Sequence, residues 1–322
     1  MKTLYPSLRP YRSEMLAVGD GHELYLECSG SPSGIPVLVI HGGPGAGSSD
    51  QLRRFFNPEH YHIILFDQRG AGRSIPHANT HCNTTAHTLA DIERIREHLM
   101  IDQWLLFGGS FGATLALLYA QQRPDRVSGL IVRGVFLARQ QDLDWLYLSG
   151  ANRFFAEEWQ HFSAEVSGKT GDDLVAAYYE RLHSDNELAV ISAAKAWTRW
   201  EVANSTLRAN QANTSAFLKT HTALALAKIS SHFFKHKSFI EENQILNNAE
   251  CLKGIPGYIV HGRYDMICPP EQAQLLSQHW PDAQLHLVRE GGHSAFDEAI
   301  IDALIRSTSR MAKQLGRPES QA

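Results

Sequence analysis

WLLFGGSFGATLALLYAQQ, residues 104–122, decides the fold. Trp104 to Phe107 is an unbroken apolar run of strand length. It breaks at Gly108 and leads at once into Ala113–Gln122, which reads as a buried helix. Between them stands Gly108-Gly109-Ser110-Phe111-Gly112, a G-x-S-x-G pattern. A strand that turns straight into a helix strains the backbone at the turn, and glycines on either side let the two elements approach without Cβ clashes. The Ser110 hydroxyl is then presented at a helix N-terminus, whose free N–H groups favour developing negative charge. That is the setting of a nucleophile.

Working outward, Gly34 to His41 (GIPVLVIH) and His62 to Phe66 (HIILF) read as buried strands. Each runs into a loop, HGGPG at 41–45 and DQRGAGRS at 67–74. Thr88 to Met100 places Leu89, Ile92, Ile95 and Leu99 on one face of an amphipathic helix. Gly129–Val132, Gly257–Val260 and Gln284–Val288 supply further strands. Strands alternating with helices predict an α/β fold with a mostly parallel central sheet flanked by helices. The rhythm fails between about Leu143 and Asn248, a stretch rich in Trp and Phe that offers helices such as Asp172–Leu182 and Ala216–Ile229 and no strand. It reads as a helical insertion: a catalytic domain of residues 1–142 and 249–322, and a helical cap of 143–248. Gly316 to Ala322 reads as a frayed tail.

A serine nucleophile needs a base, and the base an orienting acid, in the chain order Ser, Asp, His on a sheet of this kind. With 17 histidines in the chain, the base must be chosen by position. His293, after the last predicted strand in REGGHSAF, meets that requirement, and Gly291-Gly292 frees the backbone to swing it over the sheet. Asp265 follows GYIV closely in HGRYDMICPP; the rival acids Asp282 and Asp297 do not sit at a strand end. The oxyanion formed on attack needs two converging N–H donors. Phe111, next to the serine, offers one, and Gly43 in the glycine loop the other. His41 reads as a structural hydrogen-bonder there. The loops carry neither G-x-G-x-x-G nor a P-loop pattern, which excludes nucleotide binding on motif grounds.

Composition narrows the partners. The 322 residues are 43% hydrophobic and 20% charged with a net charge of −4, so nothing marks a nucleic-acid or anionic membrane surface. No apolar run is long enough to span a bilayer and the N-terminus lacks a signal-peptide core, so a cytoplasmic location is expected. Cys28, Cys82, Cys251 and Cys268 contain no C-x-x-C pair and read as reduced thiols, neither a disulfide framework nor a zinc site.

These motifs resemble the prolyl aminopeptidases (proline iminopeptidases) of the α/β-hydrolase fold. The resemblance rests on HGGPG, DQRGAGRS, NTT at 83–85, DIERIREHL at 91–99, GGSFGATLAL at 108–117, RPDRV at 123–127 and VRGVF at 132–136. It continues through WLYLSGANRFF at 145–155, WTRWE at 197–201, HGRYD and GGHSAF. It implies cleavage of an N-terminal proline from short peptides by Ser110, Asp265 and His293, with no metal or organic cofactor. Glu201 of WTRWE would then bind the substrate's free amine, with Arg133 orienting that carboxylate, and Phe136, Trp197, Trp200 and Phe234 would line an apolar pocket for the ring.

The chain departs from the family pattern at three places. Phe111 stands where the family has Trp, and Val202 follows Glu201 where it has Gly. Ser230, in Ser230-Ser231-His232-Phe233-Phe234, replaces a second amine-binding Glu. Losing one charged hydrogen bond to an ammonium costs roughly 1.5–3 kcal/mol, which motivates an alternative: a carboxylesterase or amidase on the same scaffold.

Overall fold

The computed structural model describes residues 1–206, 215 and 217–316; the expected tail beyond Gly316, and Ala216 in the expected helix 216–229, lie outside them. Eight strands form one sheet in the order β1-β2-β4-β3-β5-β6-β7-β8. They are β1 Arg12–Gly19, β2 His22–Gly30, β3 Ile35–Ile40, β4 Tyr61–Phe66, β5 Trp104–Gly109, β6 Val127–Arg133, β7 Gly257–Gly262 and β8 Ala283–Val288. From β4 to β8 every neighbouring pair is parallel, whereas β1 and β2 form an antiparallel hairpin that joins β4.

The central strands are apolar throughout because both faces of the sheet are covered. Leu38, Ile40, Ile64, Phe66, Leu106, Leu130 and Val132 face one core cluster, and Val37, Val39, Ile63, Leu65, Leu105, Phe107 and Ile131 face the other. The first cluster holds α1 (Thr85–His98) and α2 (Phe111–Gln122); the second holds the closing helix α9 (Glu298–Gln314). α2 is buried along almost its whole length, which its unrelieved apolar sequence requires.

Between β6 and β7 the chain is helical among the described residues: α3 (Gln140–Tyr147), α4 (Ala156–Ala164), α5 (Gly171–Leu182), α6 (Glu187–Ser205) and α7 (Thr220–Lys235). Their shared core is aromatic, with Phe162 stacked on Tyr178 and on Trp200 at 4.6 and 5.5 Å between ring centroids. A further helix, α8 (Glu271–His279), separates β7 from β8. No described helix is long and apolar enough to cross a membrane.

Candidate active site

Ser110 occupies the single residue between β5 and α2, with φ 57° and ψ −127°. That left-handed geometry is costly for a residue with a side chain, and it is held from both sides. The Ser110 N–H donates to the Arg133 carbonyl at 3.0 Å. A Cβ on Gly112 would come within 2.1 Å of the Ile40 carbonyl oxygen, and one on Gly108 within 2.3 Å of the Gly112 oxygen. The two glycines are therefore sterically required, and the turn they permit is the one the spacing predicts.

Asp265 follows β7 and His293 follows β8, and the two side chains meet. His293 Nδ1 lies 2.8 Å from Asp265 Oδ2 and 3.0 Å from Oδ1, with Oδ1 also accepting the N–H groups of Ile267 and Cys268 at 3.0 and 2.8 Å. Burial pushes the Asp265 carboxyl up, but the charge and hydrogen bond of His293, helped by His261 and the Cys268 N–H, bring it below its ordinary value. It is thus ionised, as a carboxylate that steadies an imidazolium must be. Of the rivals, Asp297 accepts the Gly292 N–H beside the histidine, and Asp282 accepts the Gly254 N–H ahead of β7, at the opposite end of the strand.

Three neighbours of this pair carry no local signal in the sequence. Gly134, at φ 49°, leaves room for it: a Cβ there would stand 3.1 Å from His293 Nδ1 and 3.3 Å from Asp265 Oδ2. His261 Nδ1 accepts the Val135 N–H, so its Nε2–H donates to the Cys268 carbonyl at 2.8 Å and lies 3.4 Å from Asp265. The buried Cys268 thiol sits against the Ser110 hydroxyl, and burial raises its pKa well above the ordinary value. The VRG, HG and Cys-Pro-Pro contexts give no hint of these contacts, because each depends on strands distant in sequence becoming neighbours.

Arg133 requires a correction. The resemblance implies that it orients Glu201, but its guanidinium packs over Gly109, its partner across the β5–β6 register, and Nη1 donates to the His293 carbonyl at 2.6 Å. A β6 side chain pointing to that face meets the serine turn and the histidine loop, not α6.

The glycine loop after β3 comes to the same place. Gly43 has φ 115°, a value that suits glycine, and its N–H is not engaged by any turn or loop bond among the described residues. The Phe111 N–H is the first of α2, where no partner exists within the helix. A Cβ on Gly42 would press on the Ser110 Cβ at 3.0 Å, so loop and serine are in contact. His41 ties this loop to the next one: Nε2 accepts the Gln68 N–H at 3.0 Å, Nδ1 donates to the Gly42 carbonyl, and the Gln68 amide donates to the His41 carbonyl. Burial lowers its pKa and keeps it neutral.

The helices between β6 and β7 supply the surrounding walls. Glu201 accepts the Trp197 indole N–H at 2.7 Å and, more weakly, the Tyr147 hydroxyl at 3.4 Å. No cation bonds it among the described residues, and burial pushes its pKa up to about 7. Phe234 packs against Phe136 at 5.9 Å, Tyr147 at 5.8 Å and Trp197 at 6.4 Å. Trp200 has no ring contact with Phe234 or Phe136 among the described residues: it packs on Trp159 and Phe162 inside the helical core, which Trp197 also touches through Phe162 and Tyr178. Tyr147, which has no motif to mark it, takes its place against Phe234 and Trp197. The α6 end reaches the histidine loop, with the Ser294 N–H donating to the Ser205 carbonyl.

Comparison with known proteins gives a consistent result. The family described as the alpha/beta hydrolase fold matches residues 35–300. A proline iminopeptidase of Xylella fastidiosa is 47% identical over 96% of this chain and 99% of its own length. One from Xanthomonas citri is 46% identical over 97% of this chain and all of its own. Among solved structures, an esterase from Exiguobacterium antarcticum superimposes with a TM-score of 0.64 at 21% identity, over 94% of this chain and all of the esterase; it shares the fold.

Proposed function

The chain belongs to the proline iminopeptidases of the α/β-hydrolase fold, and on that premise we propose a serine peptidase that releases proline from the N-terminus of short peptides. Ser110 Oγ attacks the carbonyl carbon of the terminal proline while its proton passes to His293, and Asp265 stabilises the resulting imidazolium. The Gly43 and Phe111 N–H groups receive the oxyanion. The imidazolium then protonates the departing peptide amine, leaving a prolyl ester on Ser110. Water, deprotonated by His293, attacks the ester, frees proline and restores the hydroxyl. The chemistry calls for no metal or organic cofactor.

Residues 1–142 and 249–322 act as the catalytic domain in this reading and 143–248 as a cap that supplies selectivity. A cytoplasmic location fits the four free cysteines.

The observation that carries the substrate assignment is Glu201, a partly buried carboxylate without a bonded cation among the described residues. A protonated proline nitrogen would supply that charge through a charge-assisted hydrogen bond. The esterase alternative has less support, since the full-length relatives are named as peptidases and the esterase neighbours share only the fold.

The test compares a proline arylamide with its N-acylated form. Hydrolysis confined to the free amine is expected, whereas equal rates on both would remove amine recognition. Labelling by a fluorophosphonate, abolished in Ser110→Ala, tests the nucleophile separately.

A further inference from the structure

On the surface, the fold assembles a set of side chains that the hydrolytic site does not use. Asp20 stands in the Gly19-Asp20-Gly21 turn that joins β1 to β2, with φ 54°. Cys82, at φ 45°, lies in the loop before α1, and His87 lies in the first turn of α1. One donor atom from each of Asp20, Cys82 and His87 falls within 4.8 Å of the others. His81 brings a fourth, its Nε2 standing 3.3 Å from Cys82 Sγ. We propose that Asp20, His81, Cys82 and His87 form a zinc-class divalent metal site that clasps the β1–β2 hairpin to the start of α1.

The donor set suits that class of ion. A thiolate, two imidazoles and a carboxylate are the ligands of tetrahedral zinc, and with metal–ligand bonds of about 2.0–2.3 Å the ligand atoms of such a site lie about 3.5 Å apart. The His81–Cys82 separation of 3.3 Å is already close to this value, and exposed Asp20 and half-buried His87, with donor atoms within 4.8 Å of the thiol, need only a small inward movement. Hard cations such as calcium or magnesium would not select a thiol.

The surroundings prepare each ligand. Thr84 Oγ1 lies 2.8 Å from His87 Nδ1 and also accepts the His87 N–H. When Nδ1–H donates to that hydroxyl, Nε2 is left as the lone pair for an ion, the usual way an outer hydrogen bond fixes a ligating imidazole. Arg69 takes Asp20 Oδ2 at 3.0 Å and leaves Oδ1, while the Arg69 charge is already matched by Asp91 through two hydrogen bonds. Arg69 also holds the Cys82 carbonyl at 2.7 Å, and buried His22 holds the His81 carbonyl at 2.8 Å. The cysteines lack C-x-x-C spacing because the ligands come from a hairpin turn and a loop some sixty residues later, a convergence that spacing within one motif does not reveal.

Such an ion would act at a distance from the triad. Asn83, beside Cys82, accepts a hydrogen bond from His232 of α7 at 2.9 Å, so stiffening this loop stiffens a seat of the helical insertion.

The test uses chelator-stripped full-length protein, Co2+ as a spectroscopic probe and Zn2+ in calorimetric titration. One Co2+ should bind with a thiolate-to-cobalt charge-transfer band, and one equivalent of Zn2+ should displace it and raise Tm. Cys82→Ser should abolish the band and the Tm rise. His87→Ala and Asp20→Asn should each weaken Zn2+ binding by about tenfold or more, while Cys251→Ser changes nothing. No binding, binding unaltered in Cys82→Ser, or a band lost in Cys268→Ser in place of Cys82→Ser would each overturn the proposal. The last outcome would move the ion to the cluster of Asp265, Cys268 and His293.

Discussion

The Ser230 hydroxyl donates to the Pro44 carbonyl across 2.8 Å, joining α7 directly to the glycine loop after β3. The contact is buried, and the helix also presses Ala225 and Ile229 against Gly45 and Leu226 against Gly43. Phe234 lies one turn further along α7. The apolar wall and the loop that carries the Gly43 N–H therefore have a fixed mutual position. Ser230, which stands out in the sequence as a missing carboxylate, has a packing role of its own.

Ser230→Ala would leave the Pro44 carbonyl without its donor. A lost buried hydrogen bond costs about 1–2 kcal/mol, enough to lower Tm by a few degrees in a chain of this size. Thermal unfolding should show that drop, and kcat should fall severalfold alike on free and N-acylated substrates. A loss restricted to free amines would instead return Ser230 to amine recognition.

Glu201 gives a pH-dependent expectation. Burial raises its pKa from 4.5 to about 7, so the folded chain holds this proton more tightly than the unfolded one. The stability it brings is fully present below 4.5 and is lost as the pH climbs through about 7. Above that, Glu201→Gln should be the more stable protein, by up to about 3 kcal/mol in the absence of substrate. Catalysis should run the other way: kcat/KM on a proline amide should fall in acid as the carboxyl protonates, and this step should be absent in Glu201→Gln. Identical pH profiles in parent and variant would dismiss the amine-binding role.

The sheet was legible because its central strands are covered on both faces and read as continuous apolar runs, as in Ile35–Ile40 and Tyr61–Phe66. The β1–β2 hairpin was missed because it lies at the sheet edge, where Arg12, Ser13, Met15 and Ala17 face solvent and dilute the pattern. Its Gly19-Asp20-Gly21 turn was the available signal. In the site, Ser110 and the region of Asp265 and His293 follow from local backbone demands at strand ends. The partners of Arg133, Ser230, Trp200 and Cys268 do not, since each is set by which face of a strand or helix meets another element.

Arg133 separates two accounts of its role. Its bond to the His293 carbonyl at 2.6 Å and its packing on Gly109 place it under the reacting groups. Arg133→Met should therefore lower kcat on free and blocked substrates alike, by roughly ten- to a hundredfold if the imidazole shifts by an ångström. A rise in KM for free amines with kcat preserved would support the orienting role toward Glu201 that the resemblance implied.

Gly134 offers the most local test of the relay. Its φ of 49° disfavours any side chain, and an added Cβ would stand 3.1 Å from both Nδ1 and Cε1 of His293. The backbone cost is about 1–2 kcal/mol, which a chain of this size can absorb and remain folded. The steric cost falls on the imidazole, which cannot retreat without stretching its bonds to Asp265. Gly134→Ala should therefore keep a cooperative unfolding transition at slightly lower temperature. Its kcat should drop by about a hundredfold at nearly unchanged KM, with fluorophosphonate labelling of Ser110 slowed in parallel. Full activity in a folded Gly134→Ala protein would mean that His293 works from a position other than the one it holds against Asp265.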